Sequence, residues 1–257
     1  MAGLAVAIGL LTLVWVGSLL RRDASLVDRF WGFGFALLAF FYAQTAPAAS
    51  PQGSRWLVVG LATVWGLRLS AYLSWRNWGH GEDYRYQEMR ARGGARFPVI
   101  NLVTIHWLQG LIMWVVSLIL LVATRHPVPA GFLAGLGLLL FGIGFGFEAL
   151  GDGQLARFKA NPANRGKVLD TGVWRYTRHP NYFGDACLWW GLFCFAAAAG
   201  GWWTVVSALV MNGLLLKVSG VALLEKKLHV TKPEYRDYVA RTSAFIPWPP
   251  RPARPTG

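Results

Sequence analysis

Seven apolar runs, at 3–20, 29–47, 56–75, 101–124, 129–150, 182–200 and 202–224, leave this chain few ways to fold. A helix crossing the hydrocarbon core of a bilayer needs about 20 mostly apolar residues, and each run meets or approaches that length. The composition agrees. Of the 257 residues 54% are hydrophobic, 14% are charged and 14 are Trp, against roughly 25% charged residues in soluble chains. This argues against a disordered chain, a collagen-like fibre and a nucleic-acid-binding module. The expected fold is an all-α integral membrane protein with seven transmembrane helices, one domain over 1–248 and a Pro-rich tail over 249–257.

The first run has no basic stretch ahead of it and is followed by Arg21 and Arg22 instead of a small-residue cleavage site, so it reads as a span and not as a signal peptide. Cytoplasmic loops carry the excess of Lys and Arg, which places the N-terminus outside and the C-terminus inside. In that orientation only Arg55 and Arg125 lie in outer loops, and Arg68 and Lys217 within spans; the rest of the 25 basic residues face inward. The net charge of +13 is therefore an orientation and anionic-lipid signal, concentrated in two polar segments, 151–181 and 225–257. A membrane location, as a monomer among membrane lipids and without nucleic acid, is the expectation.

Cys187 and Cys194 lie seven residues apart on one expected helix, a rise of about 10 Å, too far for a disulfide. The glycine-rich stretch 131–146 lacks the strand–turn–helix context of a dinucleotide loop. Gly142 and Gly146 have the small-xxx-small spacing that lets helices approach closely. The five histidines show no metal-site spacing, so no metal is expected.

Ionisable groups in or beside apolar spans are functional candidates, because each is costly unless paired or hydrated. They are Asp28, Arg68, Glu148, Asp152, Asp185, Lys217 and Glu225, and all but Lys217 fall towards the inner side. Arg68, Tyr72 and Arg76 form one helical stripe, as do Glu148 and Asp152. Salt bridges such as Asp28–Arg68 that only fix packing are the alternative account. The densest polar stretch is GVWRYTRHPNYFGD, Gly172 to Asp185. Pro180 favours a helix start near Asn181, where amides and Arg178 would meet an anion. A second cluster holds Glu225, Tyr235, Tyr238 and Arg241, ending at Phe245-Ile246-Pro247.

The arrangement RHPNYFGD, a span pair, then E-x9-Y-x2-Y ending in FIP resembles the steroid 5-alpha-reductase family. WGLRL (65–69) and GEDYRY (81–86) are similar to its bacterial branch. The resemblance implies a seven-span enzyme that binds NADPH in a cytoplasm-facing pocket and reduces the carbon–carbon double bond of a 3-oxo-4-ene steroid or similar lipid enone. It implies a cofactor role for Asp152, for Lys159 in place of an Arg, and for Asn181 and Asp185 of the N-x-x-G-[DE] motif. Arg68 and Tyr72 match the R-x-x-x-Y of the third span. Glu148, Arg175, Tyr176, Arg178, His179, Tyr182, Glu225, Tyr235 and Tyr238 complete the candidate cofactor set.

Two positions depart from the family. Its ketone-holding pair is a Glu and a Tyr. Asp28 is the counterpart of the Glu, but the Tyr falls on Trp65, which leaves Tyr72, Tyr84 and Tyr86 as stand-ins. The phosphate-binding Arg of the seventh span has no clean match, with Lys217 or Lys226 as substitutes. The candidate catalytic residues are Asp28, Tyr72 and Tyr86. The chemistry is coherent without the name, because hydride addition to an enone puts negative charge on the ketone oxygen, which a protonated carboxyl can stabilise. Two rivals share parts of the pattern. One is a membrane methyltransferase of isoprenylcysteine or phospholipid that uses S-adenosylmethionine, and the other is a non-catalytic sterol- or lipid-binding protein.

Overall fold

The computed structural model describes residues 1–47, 52–218 and 234–251. Every regular element among them is helical. In order they are α1 (Ala2–Arg21), a single turn α2 (Leu26–Arg29), α3 (Trp31–Gln44), α4 (Gln52–Arg76), α5 (Tyr84–Gly93), α6 (Phe97–Asn101), α7 (Leu108–Val116), α8 (Leu118–Arg125), α9 (Phe132–Ala160), α10 (Pro180–Ala198), α11 (Val205–Gly213) and α12 (Tyr235–Arg241). A π-helical stretch, Leu102–Trp107, joins α6 to α7, and a second, Leu214–Val218, follows α11.

Four helical runs are long and apolar enough to cross a membrane: Ala2–Arg21, Gln52–Arg76, Tyr84–Arg125 and Phe132–Ala160. The remaining expected spans take other forms. Span 29–47 is the 14-residue α3, about 21 Å long against a core of about 30 Å. Span 182–200 is α10, which begins at Pro180. Span 202–224 opens as a short 3-10 turn and α11, and its last residues lie outside those described. α9 corrects the expected boundary at 150. With 29 residues it runs about 44 Å, so Asp152 and Lys159 sit on a helix, not in a loop.

Two compact units result, Met1–Pro129 with Phe195–Ser207, and Ala130–Cys194 with Ala208–Gly257. In the first, α3 lies against α4 where Gly32 and Gly66 meet backbone to backbone, and a Cβ on either would strike the other's carbonyl. Phe35, Leu38, Trp65, Met113, Ile119 and Leu120 fill the core without exposure. Trp65, at the place of the family's tyrosine, thus packs against Phe35, ring centroids 5.8 Å apart. Two polar pairs inside this unit join distant segments. The Tyr42 hydroxyl and Ser117 Oγ are 2.9 Å apart, and Trp15 Nε1 donates to the Pro98 carbonyl at 3.0 Å.

In the second unit α9 and α10 run antiparallel along a seam of glycines. A Cβ on Gly144 or Gly184 would collide with the other helix's backbone, and one on Gly191 would lie 2.7 Å from Gly137 O. At Gly151 the fit is looser, a Cβ there lying 3.1 Å from the Pro180 ring. The contact positions are therefore 137, 144 and 151 on one helix and 184 and 191 on the other. A seven-residue spacing keeps one face of a helix towards its partner, and missing side chains let dispersion contacts form along the whole seam. Gly142 and Gly146, the expected contact pair, have nothing within 4 Å of a Cβ. The small-xxx-small reading chose the wrong face. Gly184→Ala should accordingly lower the unfolding midpoint in detergent, at a cost of about 1–3 kcal/mol from overpacking. Gly146→Ala should leave the midpoint unchanged or raise it.

Candidate functional site

The GEDYRY segment organises the polar end of the first unit. Gly79 and Gly81 adopt positive φ of 75° and 71°, a turn that glycine enters without steric cost. Asp83 then caps α5, its carboxylate accepting from the Arg85 amide at 3.0 Å. Glu82 reaches back to the turn after α1. Its Oε1 accepts from the Ala24 amide at 2.7 Å, while Arg90 grips both carboxylate oxygens at 2.7 and 2.9 Å. Burial acts against the Glu82 charge, but Arg90 and the Ala24 amide hold its pKa below the ordinary value.

One turn along, the Tyr86 hydroxyl donates to Asp28 Oδ1 at 2.9 Å. Of the three stand-in tyrosines it alone makes this bond among the described contacts. Tyr84 is exposed. Tyr72 lies between two guanidinium groups, Arg68 at 5.4 Å and Arg76 at 5.8 Å from its ring, so the stripe on α4 is a cation–π stack. The ion pair of Asp28 comes from Arg85, 3.4 Å from Oδ2, and not from Arg68 as in the packing-only alternative. Asp28 keeps 31% of its side-chain surface open, so a ligand atom can reach it. Even so, desolvation raises its pKa, outweighing Arg85 and the Tyr86 bond, which lower it. Arg85, Glu82 and Asp83 were not among the candidates. The clue was their place in the motif, three acidic or basic residues flanking two tyrosines.

In the second unit Asn181, at the first turn of α10, donates to Asp152 Oδ1 of α9 at 3.3 Å. Glu148 and Asp152 are buried on the same face of α9, beside the Gly144–Gly184 contact. Asp185 lies one turn beyond Asn181 on α10. His179 is buried, its ring centroid 5.9 Å from that of Tyr182. Arg175 and Tyr176 are exposed. Lys159 lines a hollow of about 500 Å³ with Asn161, Asn164 and Arg165, and no carboxylate is among its lining residues.

Arg178 is tied to the end of α12. Its Nη1 donates to the carbonyls of Thr242 at 2.8 Å and Val239 at 3.3 Å, closing the C-terminal end of α12. Cations are favoured there by unsatisfied carbonyls and the helix dipole. The same clasp employs Tyr238, whose hydroxyl donates to the Trp174 carbonyl, and burial pushes its pKa up. Thr177 Oγ1 donates to Phe245 O at 2.8 Å, and the Tyr235 ring lies tilted beside Tyr238 with centroids 5.9 Å apart. The RHP and FIP motifs are thus two sides of one fastening. Glu225 and Lys226 lie outside the described residues. Lys217 is exposed. No group of three or more His, Cys, Asp or Glu able to hold a metal occurs among the described residues.

Residues 14–242 match the family described as "Protein of unknown function (DUF1295)". The chain belongs to this family. It is also 27% identical to an uncharacterized protein of the fission yeast Schizosaccharomyces pombe, over 95% of this chain and 78% of the relative. No solved structure matches it. The family match takes in both polar clusters, from Asp28 to Tyr238.

The Glu82 clasp has a pH signature. A carboxyl whose folded pKa is lowered stabilises the native state fully above its unfolded value, 4.5 here, and the contribution is lost as pH falls through the lower folded value. Between pH 7 and pH 3 the wild-type unfolding midpoint should therefore drop more than that of Glu82→Gln. Parallel profiles for the two proteins would remove Glu82 from this role.

Proposed function

We propose that this protein is a seven-span, N-terminus-outside reductase of the bacterial inner membrane that uses NADPH to reduce the carbon–carbon double bond of a 3-oxo-4-ene steroid or a similar lipid enone. The observation that carries the reading is the Tyr86–Asp28 hydrogen bond, 2.9 Å long with part of the carboxyl open. A carboxyl and a tyrosine are the pair that the resembling family sets on the substrate ketone. The family found here also includes steroid 5-alpha-reductase-like proteins.

The residues present suit the cofactor. Lys159 and Arg165, with the amides of Asn161 and Asn164, surround a hollow without acidic lining, a donor set matched to phosphate. Asn181 and Asp152 offer an amide and a carboxylate for ribose and carboxamide groups. NADPH, when bound, supplies two electrons and a hydrogen to the enone. The protein holds the ketone oxygen. Asp28 in its protonated form and Tyr86 donate to that oxygen as it gains charge, an effect worth about 3 kcal/mol for one well-placed donor. The carbon next to the carbonyl then takes a proton from Tyr86 or water. An apolar acceptor arriving from the lipid explains why such a site belongs in a membrane protein.

The methyltransferase reading needs no phosphate-binding donors, and the basic hollow at Lys159 and Arg165 favours the reductase over it. Protein purified in mild detergent should release a small molecule with the absorbance of reduced nicotinamide. A sulfur-containing adenosine would point to methyl transfer, and an apolar lipid alone to a binding protein. Asp28→Asn and Tyr86→Phe should each lower kcat on a 3-oxo-4-ene steroid about a hundredfold with little change in cofactor affinity. Unchanged turnover in both would end the assignment.

A further inference from the structure

The GEDYRY segment places one more charged group on the Asp28–Tyr86 pair than ketone binding requires. Arg85 stands between two carboxylates. Its Nε donates to Asp83 Oδ1 at 2.9 Å and its Nη2 lies 3.4 Å from Asp28 Oδ2. Its Cζ is 5.6 Å from the centre of the Tyr86 ring. Asp83 is the N-cap of α5, so the guanidinium is anchored to the rigid start of the helix that carries Tyr86. In this arrangement both oxygens of Asp28 accept, one from Tyr86 and the other from Arg85. A carboxyl that is to hold a ketone oxygen must donate instead.

We propose that Arg85 is a positioning residue that sets the pH at which Asp28 changes from accepting the Tyr86 and Arg85 protons to donating its own. Resting on the reductase reading for its consequence, this makes Arg85 the determinant of the alkaline limit of the ketone-holding pair. The other groups that act on Asp28 are Tyr86 of α5, Asp83 of its cap and Arg76 at the end of α4. On Asp28's own turn, Asp23 and Arg29 bond to each other at 2.9 Å. Arg85 is the cation nearest to Asp28 among the described salt bridges, and the Asp83 charge works in the opposite sense by repulsion.

The opposed signs of Arg85 and Asp83 supply the test. Arg85→Gln removes the cation and should raise the Asp28 midpoint by about one pH unit, a tenfold gain in proton affinity. The effect is limited to this size because Arg85 and Asp28 are each about a third exposed, where solvent screens the pair. Arg85→Lys keeps the charge and should restore most of the wild-type midpoint. Asp83→Asn, which preserves a helix cap, removes the repelling charge and should move the midpoint down.

The midpoint is read without any assay of activity, from the protonated-carboxyl infrared band of the full-length protein in detergent, titrated with pH. The band is assigned by its loss in Asp28→Asn. Opposite shifts in Arg85→Gln and Asp83→Asn establish the role of Arg85. If Arg85→Gln fails to fold, the downward shift in Asp83→Asn and the Arg85→Lys midpoint decide the matter. An Asp28 midpoint that stays put, or moves the same way in both variants, overturns the proposal. The consequence for catalysis is tested separately, with NADPH and an enone. The alkaline limb of the pH–rate profile should move with the infrared midpoint. Infrared shifts without any enone reduction would uphold the Arg85–Asp28 coupling and overturn the reductase assignment.

Discussion

An ionisable side chain at the edge of an apolar helix bundle is stable only when its partner is held in place, because water is scarce there and the bare charge is costly. The first unit meets this constraint with a short polar segment. Asp23 and Arg29 satisfy one another, Glu82 binds Ala24 and Arg90, and Asp28 receives Tyr86 and Arg85. These bonds fasten the 23–29 turn to α5. They also make the carboxyl of Asp28 both partly open and electrostatically tuned. The same pairings that permit the charges to exist there thus create the chemistry that the proposed function would use.

The second unit solves a backbone problem. Glycines at 137, 144, 151, 184 and 191 let α9 and α10 approach until only backbone separates them. That contact brings Asn181 within 3.3 Å of Asp152, since side chains beside a close seam have little room to diverge. At the end of the seam, the segment from Val173 to His179 is tied to α12 and the strand-like stretch after it by Arg178, Tyr238 and Thr177. Thr177 and Arg178 of the 172–185 stretch, with Tyr238 of α12, thus hold the chain, and the hollow lined by Lys159 and Arg165 is formed by other residues.

Much of this was legible in advance. Apolar runs located the helices, with Pro180 marking the start of α10, and Asp28 stood out as a carboxyl where charge is expensive. One misreading and one unforeseen pairing have physical causes. The glycine pair at 142 and 146 fitted a four-residue motif, whereas the helices selected a seven-residue repeat that was equally present. The carbonyl partners of Arg178, those of Thr242 and Val239, could not be foreseen because they lie more than sixty positions downstream. Carbonyl acceptors carry no mark in a sequence.

The amino-acid order by itself determined the helical class, the apolar surface suited to a bilayer and the inventory of polar groups at the edges of the apolar runs. Those properties follow from local hydropathy and from the cost of desolvating charge, which depend little on partners. Tertiary structure alone decided which tyrosine serves Asp28, that Arg85 rather than Arg68 is its cation, and that Arg178 closes a helix. Hydrogen bonds and ion pairs act over a few ångströms, so their pairing is settled only when distant segments are brought together.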